Sequence, residues 1–150
     1  MPEIDQRIIK FINKHHVLTI STSVNNQPYC ANCFYVYLND LNLFVFTSDE
    51  DTRHAKEFLI NNNVAGSVVL ETSVIGKIQG IQLTGKITEP QGDFLIICKN
   101  KYLKKFPVAL LMKTNLWALS PDFIKMTHNQ LGFGKKLIWQ KEKGSEISEK

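Results

Sequence analysis

The sequence is short of everything that would staple it covalently or place it in a bilayer. Three cysteines, an odd number, do not make a disulfide framework, so a reducing compartment is expected. No run of 18 apolar residues occurs, which leaves no candidate membrane-spanning helix, and the opening Met1-Pro2-Glu3-Ile4-Asp5 lacks the basic-then-apolar order of a secretory leader. A soluble, cytoplasmic protein without a membrane partner is the expectation. Charge of one sign is scarce too: 18 Lys and Arg against 14 Asp and Glu leave +4, which permits a phosphate or nucleic-acid ligand and demands neither. H-E-x-x-H, Walker and G-x-G-x-x-G sequences are missing, and Gly132-Phe133-Gly134 has no third glycine at the needed spacing. Cys30-Ala-Asn-Cys33 has the spacing of a redox pair or half a zinc site. It lies inside a strand-like run, where residues three apart point to opposite faces, so the two are read as buried apolar fillers and no metal site is expected.

What is present is a chain of 150 residues with 43% hydrophobic content, enough for one domain over residues 1–140, followed by a polar tail of alternating charge at 141–150 that is expected to be disordered. Val17 to Val24 and Tyr29 to Leu38 flank Asn25-Asn26, and Asn39 to Asn42 leads into Leu43 to Phe46. That order predicts a meander of three antiparallel strands. The second run is apolar on both sides, so both of its faces need cover, from a core on one side and from a helix, cofactor or partner subunit on the other.

The meander ends at Thr47-Ser48, and a helix is predicted from Thr52 to Ile60 with Asp51 as its cap and Ala55, Phe58 and Leu59 on its buried stripe. An amphipathic helix over Asp5 to Lys14 precedes the meander, closed by His15 and His16. Strands follow at Val64 to Glu71 and Lys77 to Thr88, then a helix from Gly92 to Lys105 whose late lysines complement its dipole. Leu116 to Leu119, Phe123 to Thr127 and Lys136 to Trp139 read as three further short strands, the first two parted by Ser120-Pro121-Asp122. The sum is a mainly β protein, and a small barrel is the natural solution because closure removes exposed edges.

The corner after the third strand is the candidate ligand site. Hydroxyls, Arg53 and His54 crowd a helix start, where free backbone N–H groups favour an anion. Phe46-Thr47, Thr52-Arg53-His54-Ala55, Asn61-Asn62-Asn63-Val64, then Gln79 and Leu83-Thr84-Gly85-Lys86-Ile87, in this order, resemble the FMN-binding split-barrel family related to pyridoxamine-phosphate oxidase. The resemblance runs from the first helix to Trp139. It implies an antiparallel split β-barrel with short flanking helices, a homodimer, and FMN in grooves between two subunits. It further implies that Asn32, Cys33, Phe34 and Tyr35 offer backbone groups to the isoalloxazine, that Thr47, Ser48, Thr52, Arg53 and His54 hold the phosphate, and that Gln79 also meets the cofactor.

This chain departs from the family pattern in three places. His54 stands where a lysine is usual, Asp49, Glu50 and Asp51 crowd the phosphate corner, and the basic and aromatic set that binds the oxidase's own substrate near its C-terminus is missing. The reading is therefore an FMN-dependent oxidoreductase acting on a small, unidentified substrate, with no catalytic residue singled out, although His128 follows a strand that faces a cleft in one reading. Two alternatives remain open: a flavin carrier or sensor without turnover, and a small basic barrel that binds nucleic acid. The last lacks interleaved exposed aromatics on a strand platform.

Overall fold

The computed structural model describes residues 2–142, so most of the expected tail lies outside the described residues. Helix α1 (Gln6–Lys14) is capped by Asp5, whose carboxylate accepts from the Arg7 N–H at 2.8 Å, and it buries Ile8, Phe11 and Ile12 as their spacing predicts. His15 closes it through Nδ1 on the Phe11 carbonyl at 2.8 Å. Strands β1 (Val17–Val24) and β2 (Gln27–Leu38) form a hairpin whose two-residue turn puts Asn25 and Asn26 at φ +52° and +60°. That is the left-handed pair a two-residue hairpin needs, and asparagine tolerates it. Strand β3 (Leu43–Ser48) completes the meander.

Helix α2 (Arg53–Ile60) is capped by Thr52 rather than Asp51: the Thr52 hydroxyl accepts from the Ala55 N–H at 3.3 Å. Ala55 and Phe58 are buried as expected, but Leu59 faces solvent, because the stripe that meets β1 and β2 is only one residue wide per turn. Strands β4 (Asn63–Val69) and β5 (Gln79–Thr88) are shorter at their shared end than the pattern predicts, since Ile75–Lys77 turns as a 3-10 helix. Helix α3 (Gly92–Lys105) and a 3-10 turn (Pro107–Leu111) lead into β6 (Asn115–His128) and β7 (Lys136–Gln140).

The largest departure from the sequence reading is β6, one strand of 14 residues where two short ones were expected. Thr84 pairs with Phe123 and Gly85 with Pro121, so Asp122 is an extra residue in a bulge. The bulge lets a proline sit inside the strand and bends it. A Cβ on Gly85 would lie 2.3 Å from the Ser120 carbonyl oxygen, so only glycine fits opposite the bend. Bent in this way, β6 pairs with β5 over most of its length and with β3 from Phe44↔Leu119 to Ser48↔Asn115. The order β3-β2-β1-β4-β5-β6 thus closes on itself through β3–β6, with every pair antiparallel and β7 added to the far half of β6. This is a mainly β, antiparallel split barrel with short flanking helices, as predicted.

The barrel interior holds the main core, including Leu18, Ile20, Tyr35, Phe44, Phe46 and Trp117, with Phe58 of α2 packed edge-on to Trp117 at 4.8 Å. A second core lies outside the barrel, where α3 lays Cys98 and Tyr102 over Leu38 and Val45. The cysteine pair behaves as the alternation requires, on opposite faces. Cys33 is buried and its thiol is pushed up to about 11 by desolvation, but Cys30 is exposed and does not fill a core.

Candidate functional site

Strand β3 pairs with β2 only from Tyr35↔Phe46 to Leu38↔Leu43. Before Tyr35, β2 keeps β1 along one edge, and the other edge opens where β3 turns away. The Tyr35 N–H donates toward β1, to the His16 carbonyl at 3.0 Å. Because main-chain groups alternate between edges, those of Asn32 and Phe34 face the opening.

The side chains alternate as well. Asn32 and Phe34 project outward, Phe34 being 58% exposed and 5.6 Å from the Phe106 ring, and the Asn32 amide oxygen accepts from the Thr19 hydroxyl at 2.7 Å. Cys33 and Tyr35 point into the barrel, where the Tyr35 hydroxyl donates to the Ile12 carbonyl at 2.6 Å. The Tyr35 carbonyl is also occupied, accepting from Lys105 Nζ at 2.9 Å. Of the four β2 residues singled out in the sequence, Asn32 and Phe34 therefore have groups free to meet a ligand.

Alternation splits the end of β3. Thr47 faces α3, its hydroxyl 3.1 Å from the Tyr102 hydroxyl, which also lies 3.5 Å from the Phe34 carbonyl. Burial raises the Tyr102 pKa, so the phenol stays neutral and can donate. Ser48 faces the other way, toward α2, with its carbonyl fixed by the Trp117 indole N–H at 2.9 Å. There His54 Nε2 meets the Ser48 hydroxyl and lies 3.3 Å from the Thr52 hydroxyl, which donates in turn to the Asp49 carbonyl at 2.8 Å. Desolvation lowers the His54 pKa, against an opposing pull from Glu57, so the ring is neutral at pH 7.

Arg53 stands apart from this cluster. Its Nε donates to Glu57 at 3.0 Å and its guanidinium lies 4.2 Å over the Tyr29 ring; among the described residues its terminal nitrogens have no partner. Glu57 is held below the usual carboxylate range first by the Thr22 hydroxyl and then by Arg53. Asp49, Glu50 and Asp51 are exposed, and Glu50 is drawn off to the Asn115 amide.

The structure brings together Ser48, Thr52 and His54, turns the Arg53 side chain away from them toward Glu57 and Tyr29, and places Thr47 across the strand. Gln79 is not with them: it bonds Gln130 at 3.3 Å and pairs with His128, at the end of β5 opposite to the Thr88↔Ala118 end that lies next to β3. His128 sits opposite Gln79, with Nδ1 buried and, among the described residues, without a partner.

Two residues at the opening carry roles the sequence did not reveal. Tyr102 reads as one more member of a buried helical stripe. Lys105, grouped by spacing with the late basic residues of α3, is instead folded inward, donating to the carbonyls of His15 and Tyr35, and desolvation lowers its pKa. Lys99, Lys101 and Lys104 remain exposed. The partners of Lys105 are 70 and 90 residues away, so no local pattern announces them. Among the described residues no three His, Cys, Asp or Glu side chains gather to hold a metal, and no helix is long and apolar enough to cross a membrane.

No family model matches the chain. It is 38% identical over 136 residues to a UPF0306 protein of Photorhabdus laumondii, covering 91% of this chain and 95% of that one. It is 42% identical over 135 residues to a UPF0306 protein of Yersinia pestis, covering 89% and 91%. Among solved structures it is similar to a heme binding protein from Mycobacterium smegmatis, with a TM-score of 0.75, 14% identity, and coverage of 93% of this chain and 60% of that one. It is also similar to an FAD binding protein from the same organism, with a TM-score of 0.65, 16% identity, and coverage of 83% and 93%. At such identities the structural likeness shows the fold, and the sequence relatives show the family.

Proposed function

Because the chain belongs to the UPF0306 family and folds as a split barrel, we propose that it binds FMN at the opening between β2 and β3 and serves as a flavin-dependent oxidoreductase for a small molecule. The observation that carries this reading is the free edge of β2. Asn32 and the Phe34 N–H offer main-chain groups that no strand pairs, beside the exposed Phe34 ring and the Tyr102 hydroxyl that reaches the Phe34 carbonyl, and a planar, hydrogen-bonding heterocycle uses both kinds of surface. The phosphate end falls to the tip of β3 and the first turn of α2, where the Thr52 hydroxyl and the free nitrogens of Arg53 are to hand. His54 contributes a neutral donor there rather than a charge. When bound, the flavin itself supplies the hydride chemistry, and these residues orient it.

The fold is shared with proteins described as binding FAD or heme, which supports a planar cofactor in general. Absorbance of gently purified protein separates the cases: flavin bands, or their appearance on adding FMN, are expected. A Soret band instead redirects the reading to heme, and a colourless protein that takes up neither ends it. A flavin-bound protein with no turnover of any reductant would be a carrier or sensor.

We propose further that the protein works as a homodimer. Outside the barrel, Thr19, Ser21, Ala65, Gly66 and Ser67 are small, and they leave a shallow hollow of about 470 Å³ over β1, β4 and β5 that reaches Cys30 of β2. A second copy seated there would cover Cys30, and its contact would have to extend past the hollow to the roughly 1,000 Å² that a stable interface needs. Sedimentation at micromolar concentration is expected to give twice 17.2 kDa; a clean monomer rules the arrangement out.

A further inference from the structure

A second cavity lies behind the opening, on the far side of Tyr102. It is bounded by α3, the Pro107–Leu111 turn and the start of β6 and opens to solvent, and its volume is about 290 Å³. At ~30 Å³ per water molecule in the liquid, that is room for about ten waters, too little for a flavin or a porphyrin but suited to a small metabolite. Its charged lining is of one sign. Lys99 and Lys113 supply two ammonium groups, Thr47, Tyr102 and Thr114 supply hydroxyls, and among the described residues no carboxylate lines it.

Neither lysine has an ion-pair partner among the described residues; Glu89 stands in an adjoining hollow that shares Lys99 and Thr114, without pairing. The remaining wall is apolar, and part of it is left facing water: Leu110 is 70% exposed and Met112 is 59% exposed. Two cations without an ion-pair partner among the described residues and neutral hydroxyl donors, together with an apolar wall still partly wet, match one kind of ligand.

We propose that this pocket binds a small apolar carboxylate, its charged end on Lys99 and Lys113 and its body against Leu110, Met112 and Leu116. The Tyr102 hydroxyl meets Thr47 on the pocket side and reaches toward the Phe34 carbonyl at the β2 opening, so the phenol stands between the two sites. As the substrate class of a flavin enzyme, the carboxylate rests on the preceding reading; as a bound anion it does not.

Benzoate, benzyl alcohol and benzylamine have nearly the same shape and differ in charge, which makes them suitable probes. Each is titrated into the full-length protein by ligand-observed NMR, with and without FMN. Benzoate is expected to bind saturably and at least about tenfold tighter than the other two, the scale of a charge-assisted contact, and to weaken as salt is raised. The doubly substituted Lys99→Gln/Lys113→Gln protein, altered only at exposed positions, is expected to lose benzoate by about tenfold or more while holding benzyl alcohol as before. Tyr102→Phe keeps the ring and serves as an independent probe, with a smaller loss expected. If benzoate binds no better than benzyl alcohol, or binds the double variant unchanged, the proposal is overturned. Benzoate binding without FMN uptake keeps the pocket and removes the flavin reading; FMN uptake without benzoate binding does the reverse.

Discussion

The two halves of β2 are one strand in two environments. From Tyr35 to Leu38 it has β3 on one edge, while Tyr35 is tied on the other by the His16 carbonyl and Lys105; the barrel core lies on one face and α3 on the other, and Tyr35 and Tyr37 are almost wholly buried. From Gln27 to Phe34 it has β1 on one edge and no strand on the other, and Tyr29, Cys30 and Phe34 are exposed. The covered half contributes stability. The open half contributes little, and it keeps free the backbone groups and the aromatic ring that a ligand needs. An edge strand is ordinarily blunted by charge or proline, and Pro28 does so at the hairpin end, but at Asn32 and Phe34 the edge is bare and next to a polar corner. A bare edge beside buried hydroxyls is a feature of a binding site rather than of a finished surface.

Substitutions should separate the halves. Tyr35→Ala removes a fully buried ring and its hydrogen bond, and is expected to cost about 3 to 5 kcal/mol of unfolding free energy. Phe34→Ala, one residue away on the outer face, is expected to cost less than about 1 kcal/mol. Urea unfolding of both measures the contrast, and equal losses would erase the distinction.

Arg53→Ala tests the open half for function. Weakening of FMN by about 2 to 3 kcal/mol is expected, while the solvent-screened pair with Glu57 contributes little to the fold. Unchanged affinity would put the phosphate elsewhere. A smaller effect is expected where α3 seals the covered half. Lys105→Met strips a donor from the carbonyls of His15 and Tyr35 and should cost about 1 to 2 kcal/mol, against less than about 0.5 for Lys104→Met beside it. If the neighbours behave alike, Lys105 is a surface lysine after all.

The smallest effect concerns pH. The folded His54 pKa lies below its ordinary value of 6.5. Above about pH 6.5 the ring is neutral in both states; below it the unfolded chain takes up a proton that the folded one resists, so stability falls on acidification. The shift in urea midpoint between about pH 7.5 and 5.5 should shrink in His54→Gln, which keeps a polar group near Ser48 without titrating. An identical shift would mean that the ring is solvated.

Much of the fold was legible because its signals are local. The Asn25-Asn26 turn, the alternation of β5 and the helical spacing of Ile8, Phe11 and Ile12 each act within a few residues. The misreadings arise where distant partners overrule local preference. Pro121 signals a strand end, yet Gly85 on the neighbouring strand leaves room for a bulge and β6 continues through it. Asp51 is a good cap by type, but Thr52 is the residue whose hydroxyl reaches the Ala55 N–H. The site was legible as a set of residue types around Thr47 to His54. Its division was not, because the sequence does not say which face of β3 meets α2 and which meets α3.

By itself the sequence determined the helices, most of the strands, their order and most of the faces they bury, since hydrophobic period and turn chemistry act at short range. Only the tertiary structure decided where β3 leaves β2, that Lys105 turns inward, that Gln79 lies far from Thr47 within one chain, and that Lys99 and Lys113 share a pocket. Those outcomes depend on barrel closure through β3 and β6, which joins residues some 70 positions apart. Pairing at that separation is set by the packing of the whole barrel, and no stretch of sequence encodes it alone.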